Sequence, residues 1–261
     1  MKIGIFGNGL IGSQVASNLK SAGHDAVALG REAGIDTTTG HGVAEAMTGA
    51  EVVVDLTNAP SWADDDVLAF FRDSTAHLLA AEKAAGVGHH VILSIVGADR
   101  LPGVGYMRAK VAQETLVKAG PIPYSIVRST QFFEFIAGIA DSGTVDGTVH
   151  ATPAHLQPIA SRDVAAHLSD ILTGPPVNGT VEIAGPEPLG MDELIRRLFA
   201  STGDERTVTP DPDAGYFGAK LEDSTITPTP GAHAWIAPTT LDQWLRESVA
   251  RNSPRILAFR S

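Results

Sequence analysis

The chain has 261 residues, a formal net charge of −11 and no cysteine. That length buries a full core as one large domain, or as one domain with a small appendage. The acidic balance, with no Lys/Arg cluster, argues against nucleic acid and anionic membrane surfaces, and the missing cysteine excludes disulfides, thiol catalysis and cysteine-ligated metals.

Met1 to Gly12 organises the rest. Ile3, Ile5 and Phe6 predict a short strand. Gly7, Gly9 and Gly12 follow, then a helix with Ile11, Val15 and Leu19 on one face and Gly23 at its C-terminal end. Strand, G-x-G-x-x-G, helix is the context in which the motif points to dinucleotide binding. Gly7 permits the tight turn, Gly9 lets backbone approach a pyrophosphate, and Gly12 lets the helix pack near the strand. Lys2 leads into strand and glycine loop rather than a signal-peptide layout, and no apolar stretch is long enough to span a bilayer, so the expected location is cytoplasmic.

A second strand is predicted over Asp25 to Leu29, followed by Gly30 and Arg31. An acid at this place would bond a ribose 2′-hydroxyl, whereas an Arg accommodates a 2′-phosphate, so Arg31 favours NADP, with NAD left open by the neighbouring Glu32. Gly34 to Gly40 is the expected third strand and Val43 to Met47 a brief helix. Val52 to Thr57 is a continuous β-branched run, the signature of a strand covered on both faces, and it delivers Asn58 to the ligand-binding edge. Asp64, Asp65 and Asp66 open a long helix reaching Ala85, where first-turn carboxylates suit the helix dipole better than a metal. His89 and His90, with no third ligand nearby, read as a loop pair before the strand His90 to Val96; no metal site is expected. A loop with Asp99, Pro102 and Gly103 leads to a helix from Tyr106 through Lys118, and Pro123 to Arg128 reads as a sixth strand.

Strands and helices alternate to about Arg128. The expected class is α/β: a Rossmann-like doubly wound parallel sheet with helices on both faces and a small C-terminal region. The expected domains are 1–138 and 139–261, the second sending segments back to the sheet. In it, Gly143 to Val149 reads as a hairpin or loop, Pro158 to Leu172 as a strand end running into a helix, and Thr180 to Ala184 as a strand. Met191, Leu194, Ile195, Leu198 and Phe199 make a helical core stripe. Pro210 to Pro238 is an irregular segment with Tyr216, Phe217 and Trp235, either a substrate loop or packed coil. Thr240 and Gln243 suggest a capping box for a last helix carrying Leu241, Trp244, Leu245 and Val249.

Tyr106 and Lys110, four apart on a helix, share a face. A lysine beside a phenol would lower its pKa from about 10, letting Tyr106 exchange a proton with a carbonyl or alcohol oxygen. Ser94, at the end of the preceding strand, would orient that oxygen.

Gly7 to Gly12, Val52 to Asn58, Ser94-Ile95-Val96-Gly97, Tyr106 to Lys110 and Arg128 to Phe133 resemble the NmrA-like branch of the atypical short-chain dehydrogenase/reductases, with Ala160 to Val164 and Ile183 to Glu187 extending the likeness. The resemblance implies a nucleotide-binding domain with a small region covering the substrate. It implies that Gly7, Asn8, Gly9, Leu10, Ile11 and Gly12 hold the pyrophosphate and Arg31 the ribose phosphate. Thr57 and Asn58 would line the adenine–ribose path, Lys110 the nicotinamide ribose, and Thr130, Gln131 and Phe132 the nicotinamide and substrate space. The family loop often reads G-x-x-G-x-x-G, so Asn8 between Gly7 and Gly9 changes the donors. The resulting expectation is NADPH-dependent reduction of a small carbonyl or quinone-like molecule, with Ser94, Tyr106 and Lys110 as catalytic residues. Phe132, Phe133, Phe135, Tyr216 and Trp235 are either its apolar pocket or ordinary core. A cofactor sensor without turnover is the alternative, and an epimerase or dehydratase a third reading. The expected partner is a small-molecule substrate, with neither nucleic acid nor membrane; a homo-oligomer is left open.

Overall fold

The computed structural model describes residues 1–250; residues 251–261 of the expected C-terminal region and the Val249 side chain lie outside the described residues. The chain runs β1 (Lys2–Phe6), α1 (Leu10–Ser21), β2 (Asp25–Leu29), α2 (Val43–Ala46), β3 (Val52–Asp55), α3 (Asp64–Ala85), β4 (His89–Ile95), α4 (Gly105–Ala119) and β5 (Tyr124–Ser129). It continues through α5 (Ile136–Ser142), β6 (Thr144–Val145), β7 (Thr148–Ala151), β8 (His155–Leu156), α6 (Ser161–Thr173), β9 (Gly179–Ala184), β10 (Leu189–Gly190), α7 (Met191–Thr202), β11 (Thr207–Pro210), β12 (Trp235–Ile236) and α8 (Leu241–Ala250).

Seven strands form one sheet in the order β12-β9-β5-β4-β3-β1-β2. β1 pairs in parallel with β2 and with β3, β3 with β4, and β9 with β12. All four residues of β3 are buried, which is why its run is apolar and β-branched. Because successive strand residues face opposite ways, Ile5 meets the Gly12 turn of α1 while Phe6 packs with Val43, Met47 and Leu78 of α2 and α3. Helices therefore cover both faces, and the order is Rossmann-like and doubly wound. The chain turns outward from β1 to β2 and returns to place β3 on the other side of β1, which makes the carboxyl ends of β1 and β3 the topological switch point where doubly wound sheets bind ligands.

Two segments differ from expectation. Gly34 to Gly40 forms no strand: Gly34, Gly40 and Gly42 all adopt positive φ (+75°, +77° and +72°), and the Asp36 carboxylate gathers the Thr38 N–H and hydroxyl at 2.9 and 2.6 Å. A segment turning this often pairs only through the isolated Asp36–His41 bridge, and Tyr124–Ser129 becomes the fifth strand rather than the sixth. His89 and His90 open β4 as buried residues, not a loop pair; His89 Nε2 meets Ser125 Oγ at 2.8 Å and His90 Nδ1 meets Glu82 Oε1 at 2.7 Å.

The described residues divide into two compact units, Met1–Arg128 with Val164–Val181, and Ser129–Asp163 with those from Glu182 to 250. In the second unit β6 and β7 form an antiparallel hairpin around Asp146 and Gly147, both at positive φ, and β11 joins β7 in parallel. β8 and β10 make a two-stranded antiparallel ribbon. Glu134 accepts from the Ser161 N–H and hydroxyl and from Trp244 Nε1. Gln243 N–H donates to Thr240 Oγ1 at 3.2 Å, but the Gln243 amide turns to Glu247, so only half of the expected capping box forms. Among the described residues no helix is long and apolar enough to cross a membrane.

Candidate functional site

The glycine loop in the first unit is built by close approach. Gly7 donates its N–H to the Leu29 carbonyl at 2.8 Å, while Leu56 donates to the Phe6 carbonyl at 2.7 Å. Gly7 has φ +108°, and a Cβ there would lie 2.5 Å from the Leu56 oxygen; a Cβ on Gly12 would collide with the Gly7 carbonyl. Gly9 differs: a Cβ there would meet nothing within 4 Å. It caps α1 without a side-chain bond, and no acid occupies the first turn. The N–H groups of Leu10, Ile11 and Gly12 have no intrahelical acceptor by helix geometry, and the dipole places positive potential beside the open face of Gly9. This cradle fits an anionic pyrophosphate. Asn8 is exposed beside it. Arg31, exposed, starts the single turn after Gly30; the Thr38 hydroxyl, with a smaller contribution from Arg31, holds the Asp36 carboxyl below its usual range.

The loop after β3 supplies the second wall. Asp55 Oδ1 accepts from the Thr57 N–H at 2.9 Å and hydroxyl at 2.6 Å. Asn58, exposed, accepts the Tyr106 hydroxyl on Oδ1 at 2.9 Å. Tyr106 lies in the first turn of α4 with its ring between Trp62 and Phe71, at centroid distances of 5.1 and 5.9 Å.

The expected acidification of Tyr106 does not occur. Burial raises the phenol above its ordinary value. Lys110 shares the helix face, but its ammonium donates to Gln113 Oε1 and sits 4.4 Å from the Phe71 ring centroid, so its charge serves those groups. Burial lowers Lys110 to about 8, opposed by Asp55 and then Glu114. Ser94 is likewise turned away from Tyr106: its hydroxyl donates to Glu114 Oε1 at 2.7 Å. Glu114 also takes Nε and Nη2 of Arg128, each at 2.8 Å, and Arg128 Nη1 reaches Asp99 at 2.8 Å. The Ser94 hydroxyl is thus part of a buried clamp with Glu114, Arg128 and Asp99.

Two residues absent from the sequence reading complete the site. Asp55 Oδ2 accepts from Gln113 Nε2 at 2.9 Å, behind Lys110. The signal for Asp55 was a carboxylate inside an otherwise apolar buried strand, which demands partners. Gln113 carried no such signal beyond standing one helical turn from Lys110.

Thr130, Gln131 and Phe132 belong to the second unit. Thr130 donates its hydroxyl to the Gln157 carbonyl at 2.7 Å and its N–H to the Ile183 carbonyl at 3.0 Å. Phe132 stacks on Phe135 at 5.4 Å, whereas Phe133, 2 % exposed, is core against Trp244. Tyr216 is also buried and packs edge-on against Phe217 at 4.7 Å. Gln131 is 8 % exposed, yet neither atom of its amide has a hydrogen-bond partner. Asp64 pairs with Arg108 at 2.5 Å and Asp66 accepts from Ser61 at 2.8 Å; among the described residues no group of three or more His, Asp or Glu stands ready for a metal.

A family model described as NAD(P)H-binding matches residues 7–175. No curated protein matches by sequence. Among solved structures, a short-chain dehydrogenase/reductase superfamily protein from Agrobacterium tumefaciens with bound NAD superposes with a TM-score of 0.75 at 20 % identity, over 97 % of each chain. A dTDP-4-dehydrorhamnose reductase from Clostridium acetobutylicum gives 0.75 at 18 % identity, over 97 % of this chain and 100 % of that one. The corresponding reductase from Bacillus anthracis, in complex with NADP, gives 0.71 at 16 % identity, over 96 % and 99 %. At these identities the likeness is one of fold.

Proposed function

We propose, from the premise that this chain belongs to the NAD(P)H-binding family, that it is an oxidoreductase of the NmrA-like branch that uses NADPH to reduce a small carbonyl or quinone-like molecule. The observation that carries this reading is the Tyr106 hydroxyl, held 2.9 Å from Asn58 on the loop after β3 and one helical turn from Lys110. A proton donor stands beside the switch point where a family cofactor binds.

In this reading Gly7, Asn8, Gly9, Leu10, Ile11 and Gly12 hold the pyrophosphate through backbone N–H groups. Arg31 meets the 2′-phosphate, and no acid stands at the end of β2 to repel it. Thr57 and Asn58 line the adenine–ribose path, and Lys110 donates to the nicotinamide ribose. A bound nicotinamide supplies hydride chemistry. Tyr106 supplies the proton from its hydroxyl as charge develops on the substrate oxygen. The phenol carries its proton at neutral pH, and burial makes it a weaker acid than a free tyrosine, so the substrate oxygen must take that proton as negative charge builds on it. Ser94 acts indirectly, through Glu114 and Arg128.

The test is a fluorescence titration of the protein and its Arg31→Ala variant with NADPH and NADH, followed by a carbonyl and quinone screen with Tyr106→Phe. Tight NADPH binding that weakens in Arg31→Ala, with turnover abolished by Tyr106→Phe, supports the reading. Equal or better NADH binding removes the NADP preference. Binding of neither removes the cofactor. One observation favours a second reading, a cofactor sensor without turnover: the Ser94 and Lys110 donors both turn to α4 neighbours rather than to Tyr106. Under it, no substrate turns over and NADPH changes affinity for a protein partner.

A further inference from the structure

We infer that Asp55 and Gln113 are positioning residues: one buried carboxylate orients the Gln113 amide toward the Lys110 ammonium and, with its other oxygen, closes the turn that carries Thr57. This rests on the reading of Lys110 and Thr57 as cofactor-binding residues.

The geometry leaves little choice. Asp55, Gln113 and Lys110 are 2 %, 0 % and 4 % exposed, so each polar atom needs a partner inside the protein. An ionised carboxylate only accepts hydrogen bonds, and an ammonium only donates. An amide between them fits one way, NH₂ toward Asp55 and oxygen toward Lys110, as the bonds show. The reversed amide would set oxygen against carboxylate and NH₂ against ammonium. Asp55 Oδ1 is meanwhile occupied by the Thr57 N–H and hydroxyl. The charged groups acting on Lys110 are Asp55 from β3 and Glu114 from its own helix, with the Phe71 ring of α3 against its ammonium. The His90–Glu82 pair, joining β4 to α3, in turn feels Asp55. A single side chain on β3 therefore registers the lysine of α4 against the loop opposite the glycine cradle, and a shift in one wall is felt in the other.

The relay makes a directional prediction. Asp55→Asn replaces an acceptor by an NH₂, which flips the Gln113 amide and turns its NH₂ onto Lys110. Asp55→Asn combined with Gln113→Glu restores the pattern one link along: the new amide at 55 donates to the new carboxylate at 113, which accepts from Lys110, and the net charge is that of the parent. Gln113→Met removes the amide while leaving the Thr57 turn intact.

The experiment uses the full chain labelled with ¹³C-lysine. With six lysines the spectrum is sparse, and Lys110→Arg identifies the Lys110 signal. Its titration midpoint and NADPH affinity by fluorescence are measured in each folded variant. Expected are a Lys110 midpoint lowered by about one pH unit or more in Asp55→Asn and in Gln113→Met, NADPH affinity weakened about tenfold, and recovery of both in the double variant. An unchanged midpoint in Gln113→Met overturns the relay, as does a double variant that folds but recovers neither quantity. If Asp55→Asn does not fold, Gln113→Met and the double variant decide. If the parent chain binds no nicotinamide cofactor, the cofactor reading fails while the Lys110 midpoints still judge the relay. If NADPH binds tightly and no midpoint moves, the relay fails alone.

Discussion

Gln113 and Glu114 stand side by side on α4, and each holds a cation. About 100° apart around the helix, they reach different strands. Gln113 reaches Asp55 on β3 and carries Lys110 through a neutral amide. Glu114 reaches β4 and β5, where it takes the Ser94 hydroxyl and two nitrogens of Arg128, with Asp99 binding the third. The guanidinium is engaged at all three nitrogens in a rigid fork. The lysine is a compact donor whose charge is partly withdrawn by burial. Saturation of its donors makes the guanidinium a structural clamp, whereas the lysine is held through one neutral amide. Burial would raise the Glu114 carboxyl, yet its bonds from Arg128 and Ser94 keep it below the usual range, so it is a charged partner at neutral pH.

The contrast can be broken experimentally, and the largest effect belongs at the Tyr106–Lys110 end. Tyr106→Phe should lower turnover of a carbonyl substrate 10²–10⁴-fold, about 3–5 kcal/mol, without loss of NADPH affinity; steady-state kinetics beside a binding titration measures both. Equal losses in binding and turnover would make Tyr106 a cofactor ligand instead.

Glu114→Gln should do the reverse. Removing one partner of a buried pair strands the Arg128 charge, at a cost of about 3–5 kcal/mol in urea unfolding, with cofactor affinity less affected than stability. A variant as stable as the parent would mean the clamp is dispensable.

The amino end of β4 gives a pH-dependent control distant in kind from both networks. His89 is 3 % exposed, and burial lowers its imidazole from 6.5 to about 4. The unfolded chain takes up this proton near pH 6.5 and the folded chain only near 4. The contribution is therefore complete above pH 6.5 and is lost as pH falls toward 4, by about 2–3 kcal/mol over that window. Unfolding free energies of His89→Gln and the parent, compared between pH 4 and 7, should diverge in slope only there.

The smallest effect is expected at the exposed Arg31. Arg31→Ala should weaken NADPH binding about tenfold, roughly 1.4 kcal/mol, and leave NADH almost unchanged, because only the former carries a 2′-phosphate. Raising the salt concentration should narrow the difference.

Much of this was legible in the chain itself. The strand, glycine loop and helix from Lys2 to Ser21, the β-branched run of β3, the acidic start of α3, and Tyr106 and Lys110 on one helix face are all consequences of local spacing, and local spacing is what a sequence displays. The Gly34 to Gly40 segment is a turn rather than the expected strand because Gly34 and Gly40 sit at positive φ and Asp36 binds Thr38 locally. What only the tertiary structure decided is where each polar side chain spends its hydrogen bonds. Tyr106 finds Asn58 across 48 residues, Ser94 finds Glu114 across 20, and Gln113 finds Asp55 across 58. Those choices fix the partner of the Tyr106 hydroxyl, the orientation of the Lys110 ammonium and the engagement of Ser94 by Glu114. They depend on burial and competing partners brought together by packing, and no periodicity in the chain encodes which acceptor a buried donor will meet.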